Sequence, residues 1–225
     1  PMTRIVHETQ GTIDNYIGDA VMAFWGAPVS DAENASKAVK AGLEMQAALV
    51  GLNEEFESRG WPHIAIGVGV NTGPMSVGNM GSTFRKAYTV LGDAVNLGSR
   101  LEGITKIYGV GFIVAEATSE KAHEYLYREL DRVRVKGKDE PVTILEPLGL
   151  KDELSEEAKQ KAEDFRQAVL LYRQQNWDAA QEALEKLLNE EPGCLLYELY
   201  LERITIFREE PPGEYWDGVF THKTK

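Results

Sequence analysis

Residues 11–28 read GTIDNYIGDAVMAFWGAP. Two short β-capable runs, Thr12 to Ile17 and Val21 to Trp25, flank Gly18-Asp19, and a Gly-Asp pair between such runs predicts a tight hairpin turn. Asp19 then stands at the tip, where a carboxylate is open to solvent and the glycine leaves room for a ligand. An aspartate that only bonds its own backbone also occupies such turns, so the spacing alone leaves both readings open.

Outward from the hairpin, Ser30-Asp-Ala-Glu33 has the form of a capping box, with Ser30 as N-cap. Ala35, Ala38, Gly42, Met45, Leu49, Leu52 and Phe56 follow at alternating spacings of three and four, which predicts one amphipathic helix ending near Gly60. His63 to Val70, HIAIGVGV, sets Ile64, Ile66, Val68 and Val70 on one face and Ala65, Gly67 and Gly69 on the other. That predicts a strand whose small-residue face lets another backbone come close. A β-rich stretch from Met75 to Leu91 is interrupted by GSTFRK, and a helix opens after Gly92 with Leu97, Leu101, Ile104 and Tyr108 on one face and Gly109 as its stop. A strand at Phe112 to Ala115, a short helix and a hairpin turning at Gly137-Lys138-Asp139 complete this part. Helices are too few for a doubly wound sheet, so the expected class is α+β with an antiparallel or mixed sheet.

Near Leu150 the pattern changes to Glu-, Gln-, Ala- and Leu-rich helical sequence, which places a boundary between residues 1–150 and a small all-α extension, 151–225. In a 34-residue tetratricopeptide frame with Pro192 near its end, Ala168, Trp177 and Ala180 fall where two helices pack; a plain helical hairpin fits equally well. One repeat cannot bury its own face, so it is expected to lean on the following helix, Leu195 to Phe207, and on the first domain.

The whole chain of 225 residues carries 24 Lys+Arg against 36 Asp+Glu, a net charge of −12. Residues 1–150 hold 14 basic and 19 acidic groups, residues 151–225 hold 10 and 17. This acidity argues against a general nucleic-acid or anionic-membrane binder, because a phosphate lattice would find too little positive charge. The single cysteine, Cys194, excludes an intramolecular disulfide and any CxxC zinc site. No apolar run reaches the ~18–20 residues that span a bilayer, and no signal peptide is visible. The opening Pro1-Met2 suggests a piece of a longer protein, with membrane segments upstream.

For chemistry, Asn96 and Arg100 lie four apart on one helical face beside the leucine stripe, a spacing that plain surface residues share. Joined with a turn carboxylate for a metal and Lys136 in a Gly-flanked hairpin, they suit phosphoryl or nucleotidyl transfer, which needs charge neutralised on phosphate oxygens more than a covalent nucleophile. His7, His63, His123 and His222 are not spaced as metal pairs, and GxSxG, HExxH and P-loop motifs are absent.

GTIDNYIGDAVMAFWGAP, YTVLGDAVNLGSRLEG (residues 88–103) and VRVKGK (133–138) together resemble the catalytic domain of a class III nucleotidyl cyclase. More narrowly, the chain is similar to bacterial adenylate cyclases in which that domain follows a membrane-anchored CHASE-type sensor. The resemblance implies a ferredoxin-like α+β fold, a head-to-tail homodimer with two shared sites, two Mg²⁺ or Mn²⁺ ions per site, ATP as substrate, and a cytoplasmic place in a membrane-anchored protein. It assigns Asp19 to a metal, Asn96 to the ribose and Arg100 to the transition state. Lys136 takes the triphosphate, with Arg85 a second phosphate contact, and Asn15 and Thr89 select the base.

Two positions depart from the family. Its first metal aspartate sits in a Phe-x-Asp-Ile-like strand that would precede residue 1, and Asp14 does not match that motif. Asn15 stands where adenylate cyclases show Lys and guanylate cyclases Glu, and an amide both donates and accepts; Thr89 follows the adenine pattern. The alternatives are a guanylate cyclase, or a non-catalytic module that binds nucleotide, or a protein partner through its helical tail.

Overall fold

The hairpin at Gly18-Asp19 forms as the sequence predicts: β1 (Thr12–Ile17) and β2 (Ala20–Phe24) pair antiparallel, and Gly18 takes a φ of +65° that favours glycine. A short helix, α1 (Met2–Glu8), precedes it. After it come α2 (Asn34–Ser58), β3 (Val68–Val70), β4 (Ser76–Gly81), β5 (Lys86–Leu91), α3 (Asp93–Tyr108), β6 (Phe112–Ala115), α4 (Glu116–Ser119), β7 (Tyr125–Val133) and β8 (Val142–Leu150). Three helices close the chain: α5 (Glu156–Arg173), α6 (Trp177–Glu190) and α7 (Leu195–Glu209). The structure is a computed structural model that describes residues 1–81, 86–134 and 141–220.

The fold is α+β. A four-stranded sheet in the order β3-β6-β8-β7 is parallel only at β3–β6, and β1–β2 and β4–β5 form separate antiparallel pairs. Most of the GSTFRK interruption and all of the expected turn at Gly137-Lys138-Asp139 lie outside the described residues. Among these residues no helix is long and apolar enough to cross a membrane.

Two local expectations are corrected. Ser30 does not cap α2, which begins at Asn34. Asp31 does the work instead: its Oδ1 accepts from the Glu33 amide at 2.9 Å and its Oδ2 from Lys37 Nζ at 2.6 Å. A carboxylate that satisfies an orphan amide and a cation together holds this entry more strongly than a serine hydroxyl. The second correction concerns His63 to Val70, of which only Val68–Val70 joins a ladder. The preceding backbone is held by α2 side chains: Asn53 exchanges two bonds of 2.9 Å with the amide and carbonyl of Ile64, and Gln46 Nε2 donates to Ile66 O at 3.2 Å and Gly111 O at 2.7 Å. Alternation in the sequence marks the apolar face of a strand; the ladder additionally needs a partner.

The small-residue face of this segment does what its glycines predict. A Cβ on Gly69 would stand 2.3 Å from the Glu102 amide nitrogen and 2.4 Å from Gly98 O, and one on Gly67 would meet Thr105 Oγ1 at 2.5 Å. Glycine thus lets α3 lie with its backbone against the sheet. The adjacent face of α3, about 100° round the axis, buries Leu97, Leu101 and Tyr108, and these share one apolar cluster with Ile113, Leu130 and Ile144 of the sheet and with Phe165, Tyr172, Leu184, Leu196 and Tyr200 of the terminal helices. The core therefore runs without a break across residue 150. Ala168 and Ala180 are both fully buried where α5 meets α6, and Trp177 packs edge-on to Tyr172 with centroids 5.6 Å apart.

Candidate active site

The hairpin that carries Asn15 and Asp19 is tied down at both ends. Trp25 Nε1 donates to Thr9 O at 3.1 Å, and the hydroxyls of Tyr16 and Thr3 lie 3.1 Å apart, so α1 braces the hairpin. The ladder slips between Ile13 and Asn15, which makes Asp14 the extra residue of a β-bulge. Asp19 is exposed at the turn and Asn15 is exposed on β1, where its Oδ1 accepts from the Tyr16 amide at 2.9 Å. That bond takes one of the two lone pairs of Oδ1, so the exposed amide keeps one acceptor position and both Nδ2 donors. Thr89 lies opposite Gly78 in the β4–β5 pair, and β5 runs against β1, with the Phe24 and Tyr88 rings 6.0 Å apart.

Asn96 and Arg100 stand on α3, one turn apart and both exposed, while Leu97 and Leu101 are buried beside them. The one-residue offset from each leucine swings both polar groups about 100° around the axis, off the core stripe and onto its border. Arg85 and Lys136 lie outside the described residues.

One positioning residue escaped the sequence reading. Asn71, in the Asn-Thr-Gly segment after β3, donates from Nδ2 to the carbonyl of Ala94 at 2.9 Å. Gly73 lies so close that a Cβ there would come within 2.8 Å of the Ala94 side chain. Together they hold the first turn of α3 at Ala94, two residues before Asn96 and six before Arg100. The available signal was an amide directly after a strand and two residues before a glycine, in a place where asparagine side chains bond nearby backbone groups.

Among the described residues no three His, Cys, Asp or Glu side chains gather as a metal site. Asp19 offers one exposed carboxylate, a group able to ligate a divalent ion.

Residues 2–145 match the adenylate and guanylate cyclase catalytic domain. The chain is 39% identical over 153 residues to an adenylate cyclase of Anabaena cylindrica, a match covering 64% of this chain and 30% of that protein. It is 33% identical over 149 residues to adenylate cyclase 1 of Rhizobium meliloti, covering 66% of this chain and 22% of that protein. The matched part is thus under a third of each relative's length. Among solved structures, the guanylyl cyclase Cya2 is 34% identical with a TM-score of 0.62, the likeness covering 68% of this chain and 78% of that one. The adenylyl cyclase CyaB from P. aeruginosa is 31% identical with a TM-score of 0.62, covering 68% and 80%. An exposed turn aspartate, an exposed Asn-Arg row on α3 and these matches lead to one assignment: the chain belongs to the adenylate and guanylate cyclase catalytic domain family.

Proposed function

We propose that this chain is the catalytic unit of an adenylate cyclase, in which two copies pair head to tail and convert ATP to 3′,5′-cyclic AMP and pyrophosphate. The observation that carries the reading is an exposed turn carboxylate, Asp19, together with an exposed Asn96–Arg100 row on a separate element, all inside one segment that matches the cyclase family. In each shared site one copy supplies Asp19 and the other supplies Asn96 and Arg100. Asn96 hydrogen-bonds the ribose and holds the 3′-hydroxyl in line with the α-phosphate. Arg100 sets its guanidinium against the charge that develops on that phosphate. Lys136 and Arg85 take the remaining phosphate oxygens.

Cyclases of this class use divalent metals, and Asp19 is the described residue that would hold one. When bound, Mg²⁺ or Mn²⁺ lowers the pKa of the attacking hydroxyl and neutralises the leaving pyrophosphate. We infer that a second carboxylate joins Asp19 at the metals, and a chain extended upstream of residue 1 is the form in which turnover is assayed.

Base choice rests on Asn15. The exposed amide keeps two Nδ2 donors, which suit the acceptor N1 of adenine, and one Oδ1 lone pair that can meet the N1–H of guanine, so the preference is modest. The test is competition between ATP and GTP, with Mg²⁺ or Mn²⁺, in the extended chain. Cyclic AMP should predominate by a modest factor. Replacing Asn15 with Lys should sharpen the preference roughly tenfold, the order expected when a hydrogen bond gains a charge. Predominant cyclic GMP overturns the base assignment, and no cyclic nucleotide at all overturns the enzymatic reading.

A further inference from the structure

The end of α3 opposite its candidate site residues is gripped by the terminal helices. Tyr108, its last residue, donates from its phenol to Asp131 Oδ2 at 2.8 Å. The same oxygen accepts from Arg203 Nη1 of α7 at 2.7 Å, while Asp131 Oδ1 accepts from the Arg132 amide at 2.7 Å. Asp131 and Arg203 are 1% and 2% exposed. Next along the chain, Gly109 ends α3 with a φ of +65°, and a Cβ there would stand 2.6 Å from the Cβ of Leu195, the first residue of α7. Burial, and then the neighbouring Asp131 charge, push the Tyr108 phenol well above its ordinary range, so it stays a donor at any working pH.

We propose that Tyr108, Asp131 and Arg203 are positioning residues for the cyclase reaction: through them the terminal helices fix the rotation and axial position of α3, and thereby where Asn96 and Arg100 stand. A helix is stiff, and Asn96 lies about 18 Å up the axis from Tyr108. Leu97 and Leu101 pack in the same cluster as Phe165 and Leu196, so the grip extends along the buried face. On the adjacent face, Gly67 and Gly69 leave no slack between α3 and the sheet. A helix held on two faces and locked at one end has one register. Loosening that end lets the other turn or slide, and a misplacement of about 1 Å far from the chemistry costs on the order of a hundredfold in rate. The helical extension, on this inference, is a component of the catalytic unit.

The inference rests on the cyclase reading for its rate arm and is independent of it in a second arm. Tyr108→Phe removes one oxygen. The double replacement Asp131→Leu with Arg203→Met removes the polar lock while keeping apolar volume, a kind of change that buried ion pairs tolerate in stability. Amide hydrogen exchange is followed at residues 93–100 in the 225-residue chain, well below the thermal midpoint. Both variants should speed exchange there by roughly tenfold, the order set by losing one hydrogen bond to a charged group. Exchange in α6 should be unchanged. In the upstream-extended chain, kcat for ATP should fall by about ten- to a hundredfold with KM unchanged, and Arg203→Lys should retain more of the rate than Arg203→Met. Unchanged exchange at residues 93–100 overturns the inference whether or not the wild type turns over. A lowered thermal midpoint with kcat unchanged also overturns it, by reducing the network to a structural one. If the wild type makes no cyclic nucleotide, the cyclase reading fails and the exchange arm alone decides.

Discussion

Arg203 of α7 and Asp131 of β7 form an ion pair of 2.7 Å, with 2% of each side chain exposed, across 72 residues of sequence. The guanidinium also lies 4.6 Å over the Phe220 ring and 5.3 Å from that of Tyr200. Two charges taken this far out of water cost several kcal/mol each, and only their mutual contact and the added bonds from Tyr108 and the Arg132 amide offset it. The pair is consequently fragile to single changes. Arg203→Ala or Asp131→Ala should each lower unfolding stability by about 3–5 kcal/mol. The double replacement by Met and Leu should recover most of the loss. Denaturant unfolding of the three variants measures this, and equal losses in single and double variants would contradict it.

Alkaline pH should act on the same junction. Burial is the first cause that raises the phenols of Tyr108, Tyr127, Tyr172, Tyr197 and Tyr200, that of Tyr197 to about 12. A group with a raised folded pKa keeps its stabilising contribution below the unfolded value, here about 10, and loses it as pH climbs through the folded value. Stability should therefore fall from about pH 10 upward. The near-ultraviolet absorbance of tyrosinate at these positions should rise together with loss of helical circular dichroism. Smooth ionisation of all nine tyrosines near pH 10 with the fold intact would contradict it.

Two glycines separate packing from propensity. Gly69→Ala drives a Cβ into the backbone of α3 at Glu102 and Gly98, and overpacking of this kind costs about 1–3 kcal/mol. Gly103, inside α3, has open space where a Cβ would go, so Gly103→Ala should stabilise by about 0.4–1 kcal/mol. Thermal unfolding of the two variants should move in opposite directions.

Much of the fold was legible because it is local. The turn at Gly18-Asp19, the stop at Gly109 and the glycine face at Gly67 and Gly69 each follow from a residue type whose backbone freedom or lack of a Cβ has one good use in that place. Asn96 and Arg100 were visible as a row because helical spacing fixes which residues share a face. What stayed hidden needs distant partners. Nothing local in the sequence shows that Arg203 and Asp131, a guanidinium and a carboxylate 72 residues apart, will bury each other. The shortening of the predicted strand at His63 to Val70 has the same origin, because Asn53 and Gln46 of α2 take up backbone groups that a ladder would have used. The break in composition near Leu150 is real as sequence, yet Leu101 and Tyr200 end in one core, because a boundary in composition carries no information about what the two sides bury against each other.

Overpacking also tests the helical extension. Ala180 is fully buried between α5 and its neighbours, so Ala180→Phe should cost about 1–3 kcal/mol and raise protease sensitivity in residues 151–220. Since that core is continuous with the one under α3, the variant should also lower turnover. An unchanged melting transition and cleavage pattern would contradict the packing.

The shared site is tested most directly by mixing two inactive chains. In the upstream-extended form, Asp19→Ala and Arg100→Ala should each abolish measurable cyclic AMP formation when assayed alone. Mixed in equal amounts under conditions where heterodimers form, they should regain activity, because each heterodimer assembles one site with an intact Asp19 from one copy and an intact Arg100 from the other. Heterodimers that form and remain as inactive as their components would contradict a site divided between Asp19 of one copy and Arg100 of the next.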